Sequence, residues 1–384
     1  MSKEGDKIIM KTKNVLVTGS EGFIGKNLIT RLQELDSVVI KSFDKEDNIE
    51  TLKKYLQESD FIFHLAGVNR PEKVEEFKKV NAGLTKDIIN LLEEIGKKIP
   101  VVITSSIQAD LDNPYGKSKK MAEDELIKYS KRNNVPVYIF RLPNVFGKWS
   151  RPNYNSVVST FCYNISHNLD ITISDPKREL ELVYINAVIS EFVSLLAKKE
   201  RNVGKYFYNI KRVFKISVGK LAEKIYQIRD IRKTLIVPDL SDDFMKLLHA
   251  TYLSYIDEDD FSHEMDSKED NRGSFIELIK SNSFGQISLS KSYKGIIRGN
   301  HYHNTKNEKF CVIKGKAVIK LRNILDDKII PYYVSDKKIE VVDIPPGYTH
   351  SIENITEGDG EMILLIWVNE IFDPENPDTY YCEV

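Results

Sequence analysis

Along the first two thirds of the chain, short apolar runs rich in β-branched residues alternate with longer stretches in which apolar positions recur every three or four residues. The short runs are VLVTG (Val15 to Gly19), SVVIKSF (Ser37 to Phe43), FIFHLAG (Phe61 to Gly67), VVITSS (Val101 to Ser106) and VYIFRLP (Val137 to Pro143), each a predicted strand. The stretches between them carry helical periodicity, as in FKKVNAGLTKDIINLLEEIG (Phe77 to Gly96). Strand, helix, strand repetition predicts an α/β fold, a Rossmann-type doubly wound parallel sheet wrapped by helices. After about Asp270 the helical period disappears. GQISLS, FCVIKGKAVIKLR, KIEVVDIPPG and EMILLIWV are short strands punctuated by Gly, Pro and Asn, which predicts an all-β barrel or sandwich. The acidic, turn-rich stretch Ser241 to Ser274 holds the boundary, and the expected domains are 1–255 and 256–384.

Length agrees with this division, since 384 residues suit about two cores. Lys and Arg number 56 against 57 Asp and Glu, so a net charge of −1 gives no reason to expect nucleic acid or a membrane surface as partner. The late apolar run MILLIWV (Met362 to Val368) is a strand's length, and no membrane insertion is expected. Three scattered cysteines, Cys162, Cys311 and Cys382, fit a reducing compartment, and the charged N-terminus lacks the apolar core of a signal peptide. The expected location is cytoplasmic.

Chemistry concentrates in two places. Directly after the first strand, GSEGFIG sets Gly19, Gly22 and Gly25 around Phe23 and Ile24 at the opening of a helix. Glycines there let backbone approach a pyrophosphate, and the helix N-terminus favours the anion. Tyr115 and Lys119 lie four residues apart, so on a helix they share a face. An ammonium beside the phenol is expected to lower its pKa and fit it for proton transfer to a ketone. Asp44 lies where an acid would bind the ribose hydroxyls of NADH, whereas Lys41 and Lys45 could meet the extra phosphate of NADPH.

These residues resemble the extended short-chain dehydrogenase/reductase (SDR) family, over about Asn14 to Lys215. The resemblance implies Ser106, rather than Ser105, as the hydroxyl that orients the substrate oxygen. It implies Tyr115 as proton donor and Lys119 as ribose binder and tuner of the phenol. Leu65, Ala66 and Gly67 would contact the cofactor, and RLPNVFG (Arg141 to Gly147) would face substrate. Two departures stand out: only nine positions separate Ser106 from Tyr115, and Leu180 occupies a place where relatives often carry arginine, with Lys177 and Arg178 nearby.

The second place is GNHYHNTKNE. Residues two apart on a strand face one side, so His301 and His303 can converge on one ion, with Glu308 returning on the next strand and His350 following the Pro-Gly turn of IPPGYTH. Three imidazoles and a carboxylate suit a divalent first-row metal, with zinc, iron, manganese and nickel all left open. This set resembles the cupin β-barrel superfamily, with Ile339 in place of a motif glycine. The stretches DNRGSF, GIIRGNHYH and EKFCVIKG resemble cupin-fold epimerases of dTDP-4-keto-6-deoxysugars. That likeness implies His301 as base and Lys309 as enolate stabiliser, although His301 cannot readily serve as both base and ligand and is taken as a ligand first.

Taken together, SSIQADLDNPYGKSK, FGKWSRPNYNSVVSTFCY, KGIIRGNHYHNTKNEKF and WVNEIFDPENPDTY resemble the CapF-like family of bifunctional capsular-polysaccharide and O-antigen enzymes. The resemblance implies epimerisation at carbon 3 of a UDP-linked 4-keto-6-deoxy amino sugar, NADPH-dependent reduction at carbon 4, a zinc ion and a homodimer. Position suggests Asn69, Arg70, Asn144, Asn155 and Arg298 as substrate contacts. Two other readings stand beside it: a single-function reductase with a structural metal barrel, and a nucleotide-sugar sensor, which would not need Tyr115 with Lys119.

Overall fold

The computed structural model describes residues 12–70, 73–198, 203–358 and 360–384. The chain forms two compact units, one running through Ile225 and including Leu247–Tyr255, the other comprising Tyr226–Lys246 and Ile256–Val384.

In the first unit β1 (Lys13–Thr18), α1 (Phe23–Gln33), β2 (Val38–Phe43), α2 (Ile49–Glu58), β3 (Phe61–His64), α3 (Leu84–Glu94), β4 (Val101–Ser106), α4 (Pro114–Asn133) and β5 (Val137–Leu142) alternate. The chain continues through β6 (Asn144–Phe146), α5 (Val157–Ser166), β7 (Glu179–Tyr184), α6 (Ile185–Ala197), β8 (Phe207–Tyr208) and β9 (Phe214–Ser217), of which β6, β7 and β9 form a small separate sheet. The main sheet has the order β2-β1-β3-β4-β5-β8 and every pairing in it is parallel. Both faces are covered, which is why β3 and β4 are buried along their whole length. Val15 and Val17 pack on one side with Leu28 and Leu32 of α1 and Val188 and Phe192 of α6. Leu16 and Ile62 pack on the other with Leu52, Leu92, Leu126 and Tyr129 from α2, α3 and α4. Strand order changes direction between β1 and β3, so their carboxyl ends open the crevice where such sheets bind ligands.

Local chemistry sets the helix starts. Asn48 accepts the Thr51 N–H ahead of α2, and Asn113 accepts the Gly116 N–H at 2.7 Å ahead of α4, whose first residue is Pro114. The helical stretch expected from Phe77 opens instead as a π-helix, Phe77–Gly83, before α3. Asn81 explains it: buried, it bonds both the N–H and the carbonyl of Val68 and also the Ser118 hydroxyl, so the widened turn follows the loop after β3. Helices α7 (Val218–Thr234) and α8 (Asp243–Leu253) follow. Residues 226–246 group with the second unit, where the Val237 N–H meets the Lys280 carbonyl at 2.8 Å.

The second unit contains β10 (Ser267–Asp270), β11 (Gly273–Ser281), β12 (Gly285–Ser292), β13 (Ile297–Tyr302), β14 (Glu308–Lys314), β15 (Lys316–Asn323), β16 (Ile329–Ser335), β17 (Val341–Ile344), β18 (Tyr348–Asn354), β19 (Met362–Val368) and β20 (Tyr380–Tyr381). They make two antiparallel sheets, β10-β11-β12-β19-β14-β17 and β16-β15-β18-β13-β20. Phe310, Val312, Ile344 and Leu364 from the first meet Ile319, Leu321, Val334 and Ile352 from the second in one core. The run FCVIKGKAVIKLR is two strands, broken at Gly315, whose φ of +89° reverses the chain.

Candidate functional site

The glycine loop closes the carboxyl end of β1. Gly19 adopts φ +69°, and a Cβ there would lie 2.6 Å from the Ala66 nitrogen. A Cβ on Gly25 would lie 2.1 Å from the Gly19 carbonyl oxygen. These contacts let β1, the β3 end and α1 meet without side chains between them. Gly22 caps α1 with no side-chain hydrogen bond, and the first turn has no acid, so its N–H groups suit an anionic ligand. Phe23 and Ile24 pack inward beneath the loop. Asp44, after β2, accepts the Glu21 N–H at 2.7 Å and so fastens the loop. Lys41 is paired with Glu58 at 2.5 Å, and exposed Lys45 lies 3.5 Å from Glu46. The residues present therefore fit a dinucleotide.

Beyond β3, the Leu65 N–H bonds the Thr18 carbonyl and the Ala66 N–H meets the Thr18 hydroxyl at 3.4 Å. His64 is buried between Thr18 (2.7 Å) and Thr85 (2.9 Å), and burial, aided by Lys119, drives its pKa down to about 3. A Cβ on Gly67 would come 3.1 Å from Lys119 Nζ, so the bare loop lets that amine reach the crevice.

Ser106, Tyr115 and Lys119 come together on β4 and α4. Lys119 Nζ donates to the Thr104 carbonyl at 3.1 Å and lies 5.9 Å from the Tyr115 ring centroid. Burial lowers the Lys119 pKa to about 8, against the pull of Glu123. The Tyr115 pKa is raised rather than lowered, because burial penalises the phenolate and only the nearby Ser106 hydroxyl offsets it. The expected lowering by Lys119 is thus absent. Ser105 turns away: its hydroxyl donates at 2.6 Å to Glu123, which is fully buried and also paired with Arg141 at 2.7 Å. Arg141 further holds Asp110 and stacks on Phe207, so it braces β5 and α4. The short span between Ser106 and Tyr115 is a 3-10 turn, Ile107–Asp110, and it sits so close to α4 that a Cβ on Gly116 would lie 2.1 Å from the Gln108 oxygen.

Of the expected substrate contacts in this unit, Asn69 keeps a buried, unpartnered Oδ1. Arg70, Asn144 and Asn155 are exposed, and Asn144 reaches only the Glu181 carbonyl at 3.4 Å. Leu180 is buried in β7.

In the second unit, His301, His303, Glu308 and His350 offer ligand atoms all within 4.8 Å of one another. His301 and His350 are register partners on β13 and β18, while Glu308 begins β14 on the facing sheet. A bulge between Gly299 and His301 aims the first histidine, and it requires Gly299, whose Cβ would lie 2.6 Å from the His350 carbonyl. Nε2 of His303, both ring nitrogens of His350 and Oε2 of Glu308 are buried without a hydrogen-bond partner. Orphaned lone pairs this close are what a cation would satisfy, so the residues fit a divalent metal. Burial with the neighbouring rings pushes His301 down to about 4, and the two other imidazoles hold Glu308 near 2 although its burial acts upward.

The cluster lines a cavity of about 380 Å³ that also takes in Ser288, Ser290, Arg298, Lys306 and Phe372. Ser288 and Ser290, alternate residues of β12, carry buried hydroxyls with no partner. Sequence reading passed over them, although the alternation of QISLSKS marks an inward polar face. Arg298 is on the cavity wall and donates to the Ser292 hydroxyl at 2.9 Å. Lys309 is not on that wall. It follows Glu308 on β14, so it faces the other way, where it pairs with Asp343 at 2.5 Å. The lysine that does line the cavity is Lys306, buried at 3 % exposure. No helix among the described residues is long and apolar enough to cross a membrane.

Comparison with known proteins covers both units. Residues 15–210 match the NAD dependent epimerase/dehydratase family, and residues 268–380 match the polysaccharide biosynthesis C-terminal domain. A UDP-2-acetamido-2,6-beta-L-arabino-hexul-4-ose reductase of Pseudomonas aeruginosa is 45 % identical over 96 % of this chain and 98 % of its own. The crystal structure of the capsular polysaccharide assembling protein CapF from Staphylococcus aureus is 44 % identical, with a TM-score of 0.89 over 97 % of this chain and 100 % of that one. A mouse dTDP-D-glucose 4,6-dehydratase is 26 % identical over 56 % of this chain and 73 % of its own.

Proposed function

The chain belongs to the CapF-like family of nucleotide-sugar 4-keto reductases/epimerases, and from that premise we propose that it works twice on one substrate, a UDP-2-acetamido-2,6-dideoxy-L-hexos-4-ulose. The second unit, read as a cupin barrel, inverts carbon 3. The first, an extended SDR reductase, then reduces the 4-ketone to a UDP-N-acetyl-L-talosamine-type product on the way to UDP-N-acetyl-L-fucosamine for capsule or O-antigen. The protein acts in the cytoplasm as a homodimer.

The chemistry makes one order productive. A 4-ketone acidifies the hydrogen on carbon 3, and reduction removes that acidity, so epimerisation must come first and reduction locks its result. When bound, NADPH, or NADH in its place, would supply the hydride, and zinc held by His301, His303, Glu308 and His350 would supply positive charge to stabilise an enolate. The first unit's own groups complete the reduction. Ser106 holds the ketone oxygen, Tyr115 gives it a proton, and Lys119 binds the ribose hydroxyls. In the cavity Ser288, Ser290 and Arg298 hold the sugar nucleotide, while the four-ligand set keeps His301 from acting as a free base. The observation that carries the reading is the buried, unpartnered His-Glu set at a cavity wall in a chain that also places Tyr115, Ser106 and Lys119 beside a bare glycine loop.

The test is product analysis. With the UDP-4-keto sugar in heavy water and no dinucleotide, deuterium should enter carbon 3; with NADPH, NMR should show a 4-hydroxyl sugar inverted at carbon 3. Reduction without inversion would leave a single-function reductase.

A further inference from the structure

The tail that follows β19 returns to the metal-ligand set and holds it through one residue. Asp378 lies in the left-handed region, φ +36°, an uncommon conformation for a residue with a side chain. Its carboxylate accepts the N–H groups of Asn304 (3.0 Å), Thr305 (2.9 Å) and Lys306 (3.1 Å) and the Thr305 hydroxyl (2.8 Å). Its main-chain carbonyl accepts from Nδ1 of His303 at 2.6 Å. A carbonyl can only accept, so Nδ1 carries a proton and, in the neutral ring that a metal requires, the lone pair is on Nε2. That Nε2 is the buried, unpartnered atom 3.5 Å from Glu308. The neighbouring Pro377 carbonyl takes the ammonium of Lys306, whose Nζ also lies 5.3 Å from the Phe372 ring centroid. The tail is fastened independently of Asp378: the Asn307 and Asn369 pair bonds at 3.0 Å, and Tyr380 and Tyr381 pair with Tyr302 and His301.

We propose that Asp378 is a positioning residue for the metal site: its side chain sets the 304–306 turn while its carbonyl fixes the tautomer and tilt of His303. Metal affinity then depends on a residue that is no ligand and lies 75 positions from the one it orients. The inference rests on reading the His301, His303, Glu308 and His350 set as a metal site.

The test uses full-length wild type, Asp378→Ala and Asp378→Asn, stripped with chelator and titrated with zinc against a chromophoric competitor. Melting of the zinc-free proteins and ¹⁵N-histidine spectra are recorded alongside. Loss of the turn's anchor should weaken zinc binding about 10- to 100-fold in Asp378→Ala, the range for outer-shell partners of metal ligands. Asp378→Asn keeps the shape and an accepting oxygen, so it should lose less. The Nδ1–H tautomer of His303, dominant in wild type, should give way to a mixture in Asp378→Ala. A residue that only stabilised the fold would lower melting and leave the tautomer as it is, and that result overturns the proposal. So does wild-type zinc affinity in both variants, with Asp378→Asn deciding if Asp378→Ala does not fold. Wild type that binds no zinc or other divalent metal would instead remove the metal reading beneath it.

Discussion

Ser105 and Ser106 are adjacent, yet the structure gives them separate tasks: one hydroxyl is consumed by buried Glu123 and the other faces Tyr115. Strand alternation separates them, and the same rule separates Glu308 from Lys309. The motif residues are legible because each needs a particular chemistry at one spacing, whereas which of two neighbours faces inward depends on strand register, and register turns Lys309 away from the cavity toward Asp343. Lys309→Met should therefore leave carbon-3 exchange within about threefold of wild type, since an exposed ion pair is worth about 0–1 kcal/mol. Tyr115→Phe should lower the reduction rate by about 10²- to 10⁴-fold, the usual contribution of a positioned acid, while deuterium exchange at carbon 3 continues. Full reduction by that variant would refute the assignment. Lys119 adds a pH signature. Burial disfavours its charge, so it is an ammonium below about pH 8 and neutral above. Dinucleotide affinity should fall by about fivefold between pH 7 and 9 as charged hydrogen bonds to ribose become neutral ones. A Lys119→Met variant should bind more weakly and show no such fall. For stability the sign is reversed: the unfolded chain holds more protons from about pH 8 up to the ordinary lysine value, so the burial penalty is relieved as pH rises through that window.

Among the elements, the five predicted strands of the first unit all form, because continuous β-branched runs with a helix on each face leave little else to do. Turns in which a glycine spares a clash were only half legible. GSEGFIG announces itself, but Gly116 and Gly299 are isolated glycines whose need arises from a tertiary approach, the Gln108 carbonyl in one case and the His350 carbonyl in the other. The π-helical start at Phe77 was equally hidden, since it is a long-range bond from Asn81 to the loop after β3 that widens the turn. At Gly19 both problems coincide, a positive φ and a Cβ 2.6 Å from backbone. Gly19→Ala should cost about 2–4 kcal/mol from strain and overpacking together. A melting experiment on the first unit should register it, and NADPH titration should show weaker binding because the loop can no longer close on the β3 end.

For the whole molecule, two sites in one chain make a prediction that neither makes alone. The change of texture near Asp270 points to two cores, and the ligand types point to a metal site, but only packing reveals that Ser288, Ser290 and Lys306 complete the cavity, because sheet pairing fixes the inward faces of the two serines and the Pro377 carbonyl holds Lys306. Chelation separates the two sites without touching the sequence. A metal present at a hundredfold over its dissociation constant stabilises the unit that binds it by about 2.7 kcal/mol, so stripping it should lower the melting of the second unit by roughly 10 °C and leave that of the first in place. At a temperature where both forms stay folded, the stripped protein should lose carbon-3 exchange in heavy water. It should still oxidise NADPH with a 4-keto sugar already inverted at carbon 3, because Ser106, Tyr115 and Lys119 include no metal ligand. Added zinc should restore exchange. Exchange that persists in the folded, metal-free protein would make the metal a structural clamp and move the proton chemistry to other cavity residues. Loss of NADPH oxidation with the inverted substrate would show that the metal serves both reactions, against the division of labour proposed.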